Sequence, residues 1–254
     1  MNIKGKCIIV TGGAGGIGID IVKSLLELGA DVGLVDKNKK RLNRIKDFIN
    51  KDQNKRVLFY EIDVGNFQQV EEVVDDLYNK CGSIDGLINN AAILKDAPLI
   101  SIYKGKLMKY SLDDWNETLL SNLNGYFYFT REVVEKMVLQ RTKGIIINVS
   151  SISSSGNIGQ TSYAASKAAV NALTVTWAQE LSAFGIRVAG IAPGMTDTQM
   201  PKISMNKIQL ETWVNKTPLK RMASSEEIAH GVSFIIKNDY FCGRTLELDG
   251  GLRM

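Results

Sequence analysis

The most constraining stretch of this chain is glycine-dense: Thr11-Gly12-Gly13-Ala14-Gly15-Gly16-Ile17-Gly18. It lies between an apolar, β-branched run at residues 6–10 (KCIIV) and a segment, 17–28, whose apolar residues recur three and four apart. The first pattern is that of a covered strand and the second that of a helix. Glycines at such a junction let the backbone turn sharply and approach a phosphate with no Cβ in the way. The helix behind them offers unpaired N–H groups and the positive end of its dipole. Strand, glycine turn and helix in that order form a dinucleotide-binding arrangement, and Asp36 stands eighteen residues beyond Gly18, where a carboxylate reaches the adenosine ribose hydroxyls. Asp36 also fits a plain N-cap for a helix starting near Lys39.

The same alternation continues along the chain. Residues 31–35, 56–62, 84–88, 144–149, 186–191 and 244–248 are short, β-branched and nearly all apolar. Between them, residues 67–78, 112–138, 162–183 and 224–236 carry helical periodicity. Strand alternating with helix predicts βαβ crossovers, hence an α/β, doubly wound Rossmann fold with a seven-stranded parallel sheet and helices on both faces. No linker or repeat interrupts the 254 residues, so one domain over 1–254 is expected. With 44% hydrophobic residues the chain is not disordered.

Charge and rare residues exclude several functions. A net charge of +4 is mild, and the basic residues cluster only at 37–46, without the interleaved aromatics of a nucleic-acid binder. One histidine, His230, in a predicted helix, argues for a structural role and against a histidine-rich metal site; no metal is expected. Three widely spaced cysteines, Cys7, Cys81 and Cys242, give no disulfide framework and fit a reducing compartment. No apolar run approaches the ~18 residues that span a bilayer, nor is there a secretory pattern. The expectation is a cytoplasmic protein without membrane contact.

Tyr163 and Lys167 are four apart, so on a helix they share a face, among the small residues Ala164, Ala165, Ser166, Ala168 and Ala169. Ketone reduction creates an alkoxide that needs a proton from a positioned acid. A lysine ammonium ~5 Å from a phenol, at an effective dielectric near 20, favours tyrosinate by about 3 kcal/mol before screening. That pull is enough to bring a phenol of pKa near 10 into working range at neutral pH. A hydroxyl from Asn148-Val149-Ser150-Ser151, at the end of the fifth strand, could bond the substrate carbonyl.

The spacing Gly12-x3-Gly16-x-Gly18, the run Asn89-Asn90-Ala91-Ala92 and the pair Tyr163-x3-Lys167 together closely resemble the short-chain dehydrogenase/reductase family, over essentially the whole chain. Within it, residues 156–167 (GNIGQTSYAASK) look most like the β-ketoacyl-acyl-carrier-protein reductase group. The resemblance implies that Tyr163 is the acid/base and that Lys167 also holds the nicotinamide ribose. It implies a third, serine partner thirteen residues before Tyr163, which is Ser150, whereas the family's Asn-x-Ser-Ser pattern selects Ser151; Ser151 is favoured, because loops absorb deletions more easily than strands absorb register shifts. Asn122 matches the asparagine that kinks its helix and holds a relay water. Asp63-Val64 matches the acidic cap of adenine, and Asn90 and Ala91 the adenosine ribose. Pro193-Gly194-Met195-Thr196-Asp197-Thr198 matches the segment around the carboxamide and pyrophosphate. Gly12, Gly15, Gly16, Ile17 and Gly18 form the phosphate turn.

Asp36 would face the 2′-phosphate of NADP with a like charge, so NAD is the expected cofactor and NADP the less favoured one. Lys37 and Arg41 are the opposing signals, while Gly15 stands neutral where many NADP-preferring relatives carry a basic residue. The implied substrate is a secondary alcohol/ketone pair, first a 3-oxoacyl thioester with an acyl carrier protein as candidate partner. The alternatives are a hydroxysteroid, a polyol or a small secondary alcohol, and a catalytically idle nucleotide-binding scaffold. Lys104-Gly105-Lys106 reads as a hairpin tip near the site entrance, and residues 196–214, with Met200 and Met205, as a substrate lid. Apolar residues such as Tyr126, Phe127, Tyr128 and Phe129 in succession exceed what one sheet-facing stripe needs, which points to a homotetramer.

Overall fold

The computed structural model describes residues 1–49, 56–199 and 206–253. The chain runs β1 (Cys7–Thr11), α1 (Gly16–Glu27), β2 (Asp31–Asp36), α2 (Lys39–Ile49), β3 (Val57–Glu61), α3 (Phe67–Cys81) and β4 (Gly86–Asn89). A two-stranded ribbon, β5 (Ile100–Tyr103) and β6 (Lys106–Lys109), follows, then α4 (Leu112–Leu119) and α5 (Gly125–Leu139). The remainder is β7 (Ile145–Val149), α6 (Thr161–Glu180), β8 (Arg187–Pro193), α7 (Lys207–Lys216), α8 (Ser225–Lys237) and β9 (Thr245–Leu248).

Seven strands pair in the order β3-β2-β1-β4-β7-β8-β9, with every pairing parallel. The expected doubly wound sheet is therefore present, and its strands lie within a few residues of the runs read from sequence. β1, β4 and β7 are buried along their whole length, as strands covered on both faces must be. Successive residues sort to opposite faces. Ile8 and Ile147 join Ile21, Leu25 and Ile235 on the α1/α8 side, whereas Ile9 and Ile146 join Leu77, Phe129 and Trp177 on the other.

The chain leaves β1 toward β2 and β3 but returns at β4 toward β7, β8 and β9. This reversal opens a crevice at the carboxyl ends of β1 and β4, the place where doubly wound sheets bind ligands. Gly12 follows β1, Asn90 follows β4 and Ser150 follows β7.

The helical segment over 112–138 is interrupted at Asn122, the residue matched by resemblance to a helix-kinking asparagine. α4 stops at Leu119, Leu120–Asn124 widens into a π turn, and α5 resumes at Gly125. Asn122, fully buried in that turn, bonds outside its own helix. Its amide accepts from Ile93 N at 2.8 Å and donates to Ile93 O at 2.9 Å. A side chain with both ends fixed to another segment favours the local widening over a regular ladder. The aromatic run that follows also divides. Tyr126 and Phe129 are in the core, Tyr128 packs edge-on against Phe67, and Phe127 is exposed.

No described helix is long and apolar enough to cross a membrane. His230 is exposed on α8. Among the described residues no group of three or more His, Cys, Asp or Glu could hold a metal.

Candidate active site

The turn from β1 into α1 sets the first wall of the site. Gly12 has φ +62°, and a Cβ there would come 2.8 Å from the Cα of Ala91. A Cβ on Gly18 would sit 2.2 Å from the Gly12 carbonyl oxygen. The turn can pack this tightly only without side chains. Asn90 locks it in place: its amide donates to Thr11 O at 3.0 Å and Gly12 O at 3.1 Å. Thr11 Oγ1 accepts from the backbone N–H groups of Asn90 and Ala91. α1 then begins at Gly16 with no side-chain cap and no acidic residue in its first turn, so its N-terminus is left to whatever enters the cleft.

The second wall carries a carboxylate. Asp36, buried at the end of β2, accepts from Ala14 N at 3.1 Å and from Asn38 N at 2.9 Å. Both oxygens thus orient on the backbone of the glycine turn and of the α2 entry, and each retains a lone pair for a further donor. The helix cap itself is Asn38, whose side chain accepts from Arg41 N at 3.0 Å, so Asp36 does not cap α2. Lys37 is exposed, 3.6 Å from Asp63 Oδ2, while Arg41 donates to Gln199. Asp63 in turn accepts from Gly65 N at 2.9 Å.

A cleft of about 370 Å³ joins these walls. Gly12, Gly15, Gly16, Ile17, Gly18, Asp36, Lys37, Asp63, Val64, Asn90 and Ala91 line one end. Ser150, Ser151, Tyr163, Lys167, Pro193, Gly194, Thr196 and Thr198 line the other. Asn122 does not line it; its neighbour Ser121 does. Met200 and Met205 of the expected lid lie outside the described residues, and α7 forms the latter part of that segment.

At the chemical end, the two serines part ways. Ser150 Oγ donates to the Lys167 carbonyl at 3.2 Å and so faces the α6 backbone. Ser151 accepts from Ser153 N at 3.1 Å and lies on the Tyr163 side, where its hydroxyl favours the ionised phenol. Adjacent residues leaving a strand point to opposite sides, so only one of the pair meets the tyrosine.

The titration of Tyr163 differs from the sequence expectation. Burial pushes its phenol up to about 12, against a smaller downward pull from the Ser151 hydroxyl, and the charge of Asp96 adds to the rise. Lys167 is itself pushed down to about 7 by burial, so its ammonium is only part-populated at neutral pH and exerts a reduced field. Loss of water outweighs the lysine's attraction. Lys167 Nζ donates to Val149 O at 2.7 Å and Tyr126 Oη at 3.1 Å, and lies 5.7 Å from the centre of the Tyr163 ring.

Three groups near the site were given no role in it by the sequence: Tyr126, Asp96 and Gln160. Asp96, its carboxyl raised by burial, faces the Gln160 amide at 3.5 Å, and Gln160 lines the cleft. Gln160 falls within the run 156–167 but was given no role there, whereas Tyr126 and Asp96 meet the tyrosine–lysine pair only through the fold.

The residues present suit a nicotinamide dinucleotide. A side-chain-free turn, an uncapped helix N-terminus and a buried carboxylate lie along one cleft that ends at a tyrosine and a lysine. Comparison with known proteins agrees. The family model described as short chain dehydrogenase matches residues 6–208. A 3-oxoacyl-(acyl-carrier-protein) reductase of Chlamydia pneumoniae is 36% identical over 99% of this chain and 98% of its own. One from Thermotoga maritima is 37% identical over 99% of each. The sorbitol-6-phosphate 2-dehydrogenase of Klebsiella pneumoniae is 33% identical, covering 99% of this chain and 97% of its own. Among solved structures, an NAD+-bound xylitol dehydrogenase superposes with a TM-score of 0.90 at 27% identity, over 99% of this chain and 100% of that one. The chain therefore belongs to the short-chain dehydrogenase family, as an oxidoreductase that acts on CH–OH donors with NAD or NADP.

Proposed function

We propose that this protein reduces a 3-oxoacyl thioester to its 3-hydroxy form with NADH, and runs the reverse oxidation when conditions favour it. The observation that carries this reading is that Ser151, Tyr163 and Lys167 line one end of a single cleft, away from Asp36. When bound, the nicotinamide supplies or takes up hydride at the carbonyl carbon. Ser151 donates to the carbonyl oxygen and stabilises the charge that grows there. Tyr163, protonated throughout the neutral range, gives its proton to that oxygen. A phenol near 12 is in the state that ketone reduction needs, and the reverse direction must first remove that proton. Lys167 binds the nicotinamide ribose and offsets the developing tyrosinate. Ser150 anchors α6 to the strand end, and Asn122 holds the 93 backbone behind the site.

At the other end, Gly12, Gly15, Gly16, Ile17 and Gly18 receive the pyrophosphate. Asp36 takes the ribose hydroxyls, Asp63 and Val64 flank the adenine, and Asn90 and Ala91 brace the turn. Pro193, Gly194, Thr196 and Thr198 close over the carboxamide. Asp36 supports NAD(H) over NADP(H) through like-charge repulsion with a 2′-phosphate. The thioester is favoured by the full-length similarity to the acyl-carrier-protein reductases, and an acyl carrier protein is the partner proposed. Exposed Phe127 on α5 and Val175 on α6 support a homotetramer.

A polyol dehydrogenase is the second reading. It is favoured by Asp36 together with the likeness to sorbitol-6-phosphate and xylitol dehydrogenases. NADH oxidation followed with 3-oxoacyl thioesters of several chain lengths, against NAD reduction with polyols, separates the two. Turnover of the thioesters at higher kcat/KM is expected, and polyol turnover alone would replace the first reading by the second.

A further inference from the structure

Lys167 sits in a closed ring of hydrogen bonds. Its Nζ donates to Val149 O at 2.7 Å and to Tyr126 Oη at 3.1 Å, and Tyr126 donates its own hydrogen to the same Val149 carbonyl at 3.0 Å. Tyr126 is fully buried on α5, with its ring centre 4.9 Å from the ammonium. An ammonium has three N–H donors. The ring takes two, and Lys167 lines the cleft, so one donor is left for what binds there. Because the Tyr126 hydrogen is committed to Val149, the oxygen presents only lone-pair density to the lysine. No carboxylate pairs with Lys167 among the described residues. The other titratable group close to it is Tyr163 on its own helix, and Asp96, in the segment ahead of β5, acts on Tyr163.

From this ring we infer that Tyr126 is a positioning residue for the reaction: its hydroxyl oxygen favours the charged form of Lys167 against the loss of water and aims the third N–H into the cleft. The inference rests on the acid–base reading of Tyr163 and Lys167. Without the hydroxyl, Lys167 retains one acceptor, its ammonium loses the other, and its remaining donors have no fixed direction. Loss of an acceptor that favours the charged form moves a lysine to lower pKa. Ketone reduction, which needs that charge, then fails at lower pH.

The test compares wild type, Tyr126→Phe and Phe129→Leu, the last an equally buried change on the same helix that leaves the ring of bonds intact. Lysine 13Cε NMR titration of the cofactor-free protein, assigned by the signal missing from Lys167→Met, reads Lys167 directly. Tyr126→Phe is expected to move its midpoint down by about half a pH unit or more. The alkaline limb of kcat/KM for ketone reduction should move with it. At pH 8, kcat should fall about threefold or more, with the ketone KM within twofold. Phe129→Leu should lower the thermal midpoint and move neither limb nor titration. An unmoved Lys167 midpoint in Tyr126→Phe, with wild type turning over, overturns the role of Tyr126 alone. A moved midpoint in a protein whose wild type reduces no ketone overturns the acid–base reading and the positioning role with it.

Discussion

Around the cleft, a single carbonyl such as Val149 O accepts from both Tyr126 and Lys167, and Asn90 alone fixes two carbonyls of the glycine turn. In the β5–β6 ribbon, Ile102 is 76% and Tyr103 66% exposed, and all four residues of β6 face solvent. The two regions meet where Tyr110, just past β6, shares a 2.6 Å hydrogen bond with Ser162, the neighbour of Tyr163. An atom with several fixed partners transmits any change to all of them, whereas a solvated side chain transmits almost none. Substitutions should therefore have effects graded by partner number rather than by distance along the chain.

The steepest test is Tyr163→Phe. It removes only the proton donor, so kcat should fall about a thousandfold while NADH affinity, read by fluorescence titration, stays within about threefold. Substantial residual turnover would assign the acid elsewhere. Next comes Gly18→Ala, whose new Cβ meets the Gly12 carbonyl at 2.2 Å. It should cost about 3 kcal/mol of stability and abolish dinucleotide binding. A normal melting curve with retained NADH binding would mean that the turn yields more than its packing suggests. Asp36→Ala relieves like-charge repulsion, while leaving the N–H groups of Ala14 and Asn38 without their carboxylate acceptor. The preference for NADH over NADPH in kcat/KM should narrow by about tenfold, or about 1.4 kcal/mol. Equal use of both cofactors by the wild type would remove the basis for that prediction.

The smallest effect belongs to the ribbon. Lys104 and Gly105 have φ of 49° and 75°, the left-handed pair of a tight hairpin turn. Asparagine tolerates that conformation better than lysine does. Lys104→Asn should raise stability by no more than about 0.5 kcal/mol and leave kinetics unchanged. A change in kcat beyond twofold would show that the ribbon is coupled to the cleft after all.

The parts legible in the sequence were those that repeat or stay local. Strands such as 144–149 announce themselves by continuous β-branched residues, and the turn at Lys104-Gly105 by its glycine. The glycine spacing and Tyr163-x3-Lys167 are likewise set by neighbours a few residues away. The break at Leu120–Asn124 was not legible in the periodicity, because it is stabilised by Ile93, far off in the chain. Tyr126 is the sharper case. In a run with Phe127, Tyr128 and Phe129 it reads as packing, and only the approach of α5 to α6 gives its hydroxyl a lysine and a strand carbonyl. The titration of Tyr163 failed for a related reason: a spacing of four gives proximity to an ammonium, but not how much water the fold removes from both groups.

The ribbon also has a practical consequence. Tyr110 N donates to Leu99 O at 2.9 Å, so the chain enters and leaves this excursion at nearly the same place. A segment whose ends already touch can be shortened, lengthened or exchanged without pulling on the sheet. A fluorophore, an affinity peptide or a whole inserted domain grafted between Tyr103 and Lys106 would hang beside the reaction site with Tyr110 still pinned to Ser162. That makes the tip a natural attachment point for reporting on what approaches the cleft from solution.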